Sequence, residues 1–84
     1  MGDSRKENIS MTLKQLQKSQ TAVVSGLNLE GNMRRRLRDL GVSDGSVIKC
    51  AGVSPLGDPK AYLIKGALIA IRNKDAKNIE VYND

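Results

Sequence analysis

Side chains that could perform catalysis are scarce in this sequence. It contains no histidine, so no imidazole can serve as a general base and the usual serine and cysteine triads are excluded. The single cysteine, Cys50, lies in an apolar segment, where a buried structural thiol is expected rather than a nucleophile. The carboxylates are scattered, and most of them stand beside turns or basic residues: Asp39, Asp44, Asp58, Asp75 and Glu80. The sequence therefore predicts a protein that is not an enzyme.

Ligands for a metal or a cofactor are equally sparse. Zinc and other soft-metal sites need clustered cysteine and histidine, and this chain offers one thiol and no imidazole. A site made of oxygen ligands would have to join the distant Asp44 and Asp58. Three of the glycines, Gly52, Gly57 and Gly66, interrupt turns or strands and form no phosphate-binding loop. We expect no bound metal and no cofactor.

The length and the charge of the chain limit its class. With 84 residues it is large enough for one small domain and too small for a deep cleft between two lobes. Fourteen Lys and Arg against nine Asp and Glu give a net charge of +5, which suits an acidic partner or a nucleic acid without requiring either. One unpaired cysteine suggests a reducing compartment, and there is neither an apolar run of about 20 residues nor a secretory signal. These features predict a cytoplasmic protein that does not insert into a membrane.

Four arginines are concentrated in the sequence MRRRLRDL: Arg34, Arg35, Arg36 and Arg38. Residues 31–40 are predicted to be a helix because Met33, Leu37 and Leu40 fall on one face. Gly41 is placed to end this helix in the left-handed conformation. The arginine-rich back of the helix is either a solvated surface or a docking surface, and the sequence leaves both interpretations open.

The loop formed by residues 54–59 (SPLGDP) is a second candidate surface. Its two prolines restrict the backbone, and they place Leu56 at the tip as an exposed apolar group. A stiff loop that offers one apolar anchor binds at low entropic cost. We therefore take Leu56, Gly57 and Asp58, with Arg34, Arg35 and Arg38, as candidate partner-binding residues. A plain connection between strands is the alternative for this loop.

Short β-rich segments surround these two surfaces. They are strands over residues 21–27, 46–53, 60–65, 67–72 and 77–82, with a helical turn over 73–76. Five short strands with a helix after the first predict a mainly β fold, a small closed barrel that spans residues 11–84 after a polar leader over residues 1–10. With only two aromatic residues the core is expected to be aliphatic, and its candidate members are Ile48, Cys50, Leu63, Leu68, Ile69, Ile71, Ile79 and Val81.

An ordered set of short motifs resembles the ferrous iron transport protein A family (FeoA). The segments that carry the resemblance are 36–42 (RLRDLGV), 44–45 (DG), 55–59 (PLGDP), 65–66 (KG) and 70–72 (AIR). Each motif alone is weak, but their order and spacing are specific, and together they cover roughly residues 11–82. The chain departs from the family pattern at Lys18-Ser19-Gln20, where a turn containing glycine is usual.

The resemblance implies a five-stranded SH3-like barrel with an inserted helix. It also implies an accessory protein that docks on the large membrane ferrous-iron transporter, which carries a GTP-binding domain, and regulates or assembles it. Binding of transition metal ions is a property associated with the family as a whole. Two alternatives remain: a small nucleic-acid-binding barrel, for which the arginine helix lacks aromatic neighbours, and a stand-alone relative of the C-terminal domain of iron-dependent repressors. Use as a module for proline-rich peptides would need more aromatic residues than Tyr62 and Tyr82.

Overall fold

The backbone forms one antiparallel sheet of six strands with two short helices. The structure, a computed structural model, describes residues 11–83, so the predicted leader over residues 1–10 and the final Asp84 lie outside the described residues. The strands are β1 (Met11–Thr12), β2 (Thr21–Leu27), β3 (Val47–Val53), β4 (Lys60–Ile64), β5 (Ala67–Ile71) and β6 (Ile79–Asn83). The helices are α1 (Gly31–Asp39) and α2 (Asn73–Ala76), and a 3₁₀ turn spans Leu13–Gln15. Within residues 11–83 no helix has the length and apolar character needed to cross a bilayer.

The sheet order is β1-β6-β2-β3-β4-β5, and every neighbouring pair is antiparallel. The five predicted strands are all present with ends that differ by at most two residues, and α1 follows the first of them as predicted. The expected number of strands was one too low, because β1 also pairs with β6. Two residues carry no measurable alternation of apolar and polar side chains, so a strand of this length leaves no pattern in the sequence.

The sheet bends around its core at two irregularities. The register shifts between Val24 and Gly26 where β2 pairs with β6, and between Cys50 and Gly52 where β3 pairs with β4. An extra residue in one strand bends that strand and increases its twist, so both shifts help the sheet curl. Lys60 connects β4 to the segment after β1, since its Nζ donates to Lys14 O at 2.7 Å. That contact joins regions that are far apart in the strand order.

The core is built from inward-facing residues of every long strand, together with Leu13, Leu16 and Leu37. Two predicted core members are wrong: Leu63 is 42% exposed and Leu68 is 66% exposed. They pair with each other across β4 and β5 on the outer face, because the inward positions of β4 belong to Tyr62 and Ile64. The expectation of a purely aliphatic core is also wrong, since Tyr62 is fully buried. The other predicted core members are buried as expected.

The turn that leads into β2 contains a strained residue. Ser19 has a φ of +74°, in the left-handed region that residues with a Cβ rarely adopt. Its amide donates to Cys50 O at 2.7 Å, which fixes the turn against β3. It lies in residues 18–20, the segment at which the sequence departs from the pattern that it otherwise resembles. The backbone conformation that favours glycine is thus retained with serine in place.

Candidate docking surfaces

Helix α1 carries the predicted arginine cluster on the outside of the sheet. Leu37 is fully buried, and Met33 and Leu40 pack against the core, so the predicted apolar face is confirmed. Gly41 has a φ of +86° and ends the helix in the predicted left-handed conformation. The amide of Val42 then donates to Leu37 O at 3.0 Å. The helix is therefore held by a narrow apolar stripe, which leaves its basic side chains free for other contacts.

The four arginines of α1 are all exposed, but one of them is fixed in position. The Nη1 of Arg34 donates to Leu29 O at 3.3 Å and lies 3.5 Å from Leu27 O. These carbonyls belong to the segment that enters the helix, so the guanidinium is tied to the backbone of its own neighbourhood. A side chain held in this way loses less conformational entropy when it binds a partner.

A pocket of about 500 Å³ lies beside the helix. Its lining residues are Leu27, Arg34, Arg38, Val42, Ser43 and Asp44. Two of the predicted partner-binding residues therefore come together at one cavity, and Arg35 is not part of its lining. Sequence analysis did not predict this pocket, which joins α1 to the turn that contains Asp44. The position of the turn against the helix depends on the fold and leaves no local signal.

The loop over residues 54–59 presents Leu56 as predicted, with 93% of the side chain exposed. The next two residues of the loop, Gly57 and Asp58, form hydrogen bonds that fix the loop in place. Asp58 Oδ1 accepts the backbone N–H of Asn73 at 2.8 Å, and Gly57 O accepts Asn73 Nδ2 at 3.3 Å. The amide of Gly57 also donates to Ser54 O at 2.8 Å. The loop is thus attached to the start of α2, and Asn73 is a supporting residue that sequence analysis did not identify.

The two predicted surfaces lie at opposite ends of the sheet. Strand β3 begins just after the turn that follows α1 and ends at the start of the loop. Its seven residues correspond to about 20 Å of extended chain. The turn between β4 and β5 lies on the helix side, where Lys65 approaches Gly41. The structure brings Arg34 and Arg38 together, but it separates both from Leu56.

Cys50 and Tyr62 are enclosed by the core, whereas the carboxylates Asp44 and Asp58 are exposed. Cys50 is fully buried, as predicted, and its Sγ is 3.8 Å from Gly52 O. Tyr62 donates its hydroxyl to Leu13 O at 3.3 Å, and burial raises the pKa of this phenol above its ordinary value. Asp44 and Asp58 stand at opposite ends of β3. Within residues 11–83, no three of the His, Cys, Asp and Glu side chains come together in a way that could hold a metal ion.

A strongly bent antiparallel sheet with a helix inserted after the first long strand is the SH3-like barrel arrangement, and solved FeoA proteins share it. The FeoA of Chlorobium tepidum superposes with a TM-score of 0.81 at 36% identity, over 87% of this chain and 70% of that one. The FeoA of Stenotrophomonas maltophilia, described as a procaryotic SH3 domain protein and solved with zinc, superposes with a TM-score of 0.71 at 32% identity, over 84% of this chain and 88% of that one.

The sequence comparisons assign the family directly. The family model of the FeoA domain matches residues 11–83, and the chain belongs to the FeoA family. A curated relative from Porphyromonas gingivalis is an Fe(2+) transport protein A/Fe(2+) transporter FeoB fusion protein, 32% identical over 71 residues. The matched region is 84% of this chain and 8% of the fusion protein, so this chain corresponds to a small part of that relative. The predicted family is thereby confirmed.

Proposed function

We propose that this protein is a non-enzymatic, cytoplasmic accessory protein that docks on a GTP-binding ferrous-iron transporter of the membrane and regulates or assembles it. The observation that carries the proposal is the Porphyromonas gingivalis relative, in which a homologous segment and the transporter are fused. Fusion holds two modules at a high effective concentration without a strong interface between them. Modules that are not covalently joined reach the same proximity only through a binding surface.

The loop supplies the apolar part of that surface. Leu56 is almost fully exposed although a leucine gains free energy from burial, about 1.5–3 kcal/mol when the side chain is fully removed from water. The hydrogen bonds from Asn73 to Gly57 O and Asp58 Oδ1 fix the loop before any partner arrives. In this proposal Leu56 makes the contact, while Gly57 and Asp58 keep it in position.

Helix α1 supplies the charged part of the surface. Arg34, Arg35 and Arg38 are exposed and attract an acidic region of the partner, which increases the rate of encounter more than the final affinity. A transporter domain that contacts both surfaces has to extend along β3, over about 20 Å. An interface of ordinary size, roughly 800 Å² per partner, is wide enough to do so.

The arginine helix is less suited to nucleic acid. Proteins that bind single strands combine basic residues with exposed aromatic rings on which the bases stack. Tyr62 is fully buried with its hydroxyl bonded to Leu13 O, and Tyr82 is partly buried on β6. Neither ring is placed beside the arginines in the manner that such a site requires. We therefore favour a protein partner for this surface.

The experiment that tests the proposal is a binding measurement with the ferrous-iron transporter of the same organism, reconstituted in nanodiscs. The immobilised protein should retain the transporter in a saturable manner, both at low salt and at moderate salt, since an apolar anchor is not screened. A dependence on added GTP would indicate regulation, and binding in both states would indicate assembly. No retention in any of these conditions would contradict the proposal.

A further inference from the structure

We infer that the pocket beside α1 binds a peptide segment of a protein partner in which an acidic side chain stands next to an apolar one. The inference deepens the proposed function and rests on it, because Arg34 and Arg38 belong to the proposed docking surface. In this inference the two arginines line one cavity, and the lining determines the chemistry of the peptide segment that binds there. Leu56, at the other end of β3, has no part in this site.

One wall of the pocket is cationic and partly fixed. Arg34 and Arg38 are four residues apart on α1, so they are neighbours on the helix surface. Two like charges in this relationship destabilise a helix, and an anion placed between them relieves the repulsion. The bonds from Arg34 to Leu29 O and Leu27 O hold its guanidinium while leaving other N–H donors for a ligand. A carboxylate is the matching group, since it accepts two parallel N–H bonds from an arginine.

The rest of the lining argues for a peptide and against a phosphate. Leu27, which is partly exposed, supplies an apolar surface that an ordinary anion would leave unused, whereas Val42 is buried and contributes little. Asp44 lines the same pocket with a negative charge, which repels a dianionic phosphate and can accept N–H groups of a peptide backbone. A segment with one carboxylate, one apolar side chain and backbone donors matches all three parts of the lining.

The size and access of the pocket agree with such a ligand. Its volume of about 500 Å³ lies within the range of roughly 300–1,000 Å³ that is common for small-ligand sites. Arg34, Arg38 and Asp44 are exposed, so a segment on a partner's surface reaches them without an opening motion. An extended loop of a larger protein is therefore a suitable occupant.

The test uses the full chain labelled with ¹⁵N and two blocked octapeptides, one alternating Glu with Leu and one alternating Gln with Leu. We expect the acidic peptide to shift the amide signals of Leu27, Val42 and Asp44 in a saturable manner, and the neutral peptide to bind much more weakly. Substitution R38Q should lower the affinity about tenfold, since a hydrogen bond to a charged group is lost. The matched variant R36Q, at an exposed arginine on the same helix but outside the lining, should change it by less than about twofold.

Inorganic phosphate is titrated separately to decide between ligand classes. Shifts of the same amides by phosphate at concentrations below those of the acidic peptide would overturn the assignment to a peptide. Equal effects of R38Q and R36Q would show binding by general charge and overturn the site itself. The absence of saturable shifts would overturn it as well. This test does not use the transporter, so its outcome is separate from that of the docking experiment. The pocket can bind the peptide although the protein fails to bind the transporter. The protein can also bind the transporter although the pocket fails to bind the peptide.

Discussion

Some side chains of this protein are buried and stabilise the barrel, and others are exposed on its surface and available to a partner. Tyr62 is fully buried, and its hydroxyl donates a hydrogen bond to Leu13 O. Leu56, in contrast, has 93% of its surface exposed to water, so the packing of the barrel does not require a leucine there. Asp58 was expected to bind a partner, and the structure shows its carboxylate engaged with the backbone of Asn73. Exposure alone therefore does not define a contact residue, and the hydrogen bonds of each side chain have to be considered with it.

Ser19 offers a direct test of backbone strain. A left-handed conformation costs a residue with a Cβ roughly 1–2 kcal/mol, part of which is offset by the greater freedom of glycine in the unfolded chain. Substitution S19G should therefore raise the free energy of unfolding in urea by about 0.5–1 kcal/mol. The matched change T21G, in the adjacent strand β2, should lower it by about 1 kcal/mol. If S19G lowers the free energy of unfolding, the serine side chain stabilises the fold by more than its left-handed conformation destabilises it.

Tyr62 makes the stability depend on pH in alkaline solution. A tyrosine in the unfolded chain ionises near pH 10, whereas burial keeps the pKa of Tyr62 higher in the folded protein. Above about pH 10 the unfolded state has released a proton that the folded state keeps, so the free energy of unfolding falls by up to about 1.4 kcal/mol per pH unit. Below that range this group adds no dependence on pH.

Comparison with Y62F isolates the effect of the phenol. The variant loses the hydrogen bond to Leu13 O, which should cost about 1 kcal/mol at neutral pH. All other residues are the same in the two proteins, so the difference between their urea-unfolding curves from about pH 9 to about pH 11 reports Tyr62 alone. Identical slopes for the two proteins over this interval would contradict the assigned role of burial.

At the scale of elements, the sequence predicts the helices and strands that have a local pattern. It does not predict features that depend on contacts between distant segments. Runs of apolar and β-branched residues bounded by turn residues locate the five long strands, and helical spacing locates α1. The faces of β4 and β5 are not predictable in the same way, because YLI and ALIAI are apolar without interruption and Leu63 could have faced either side. Two features join segments that are distant in sequence: the attachment of the loop to Asn73 and the pocket beside α1. No local pattern in the sequence predicts either of them.

The contact between the loop and α2 leads to a prediction for Asp58. Substitution D58A removes the acceptor for the Asn73 amide and should lower the free energy of unfolding by about 1 kcal/mol, as for other caps of this kind. It should also speed amide exchange at Leu56 and Gly57 and weaken transporter binding. The matched variant D58N keeps an oxygen acceptor and should lose less in all three measurements. Unchanged exchange in D58A would show that the prolines alone fix the loop.

At the scale of the whole molecule, the two surfaces have different chemistry and lie at different ends. The loop end presents one apolar anchor, and the helix end presents a pocket with two arginines. Apolar burial slows dissociation, while exposed charges mainly accelerate association. Variants of the loop should therefore increase the dissociation rate of the transporter complex, and neutralising Arg35 should mainly reduce the association rate and its dependence on salt.

The most direct measurement compares transporter binding by the wild-type protein, L56D and L68D. Both variants place a carboxylate at an exposed leucine, and Leu68 lies on β5 outside the proposed surfaces. We expect all three proteins to fold, L68D to bind as the wild type does, and L56D to lose at least about 2 kcal/mol of binding free energy, a loss of roughly thirtyfold, as for the anchor residue of an interface. Wild-type affinity in a folded L56D protein would contradict the account, because the loop would then lie outside the interface.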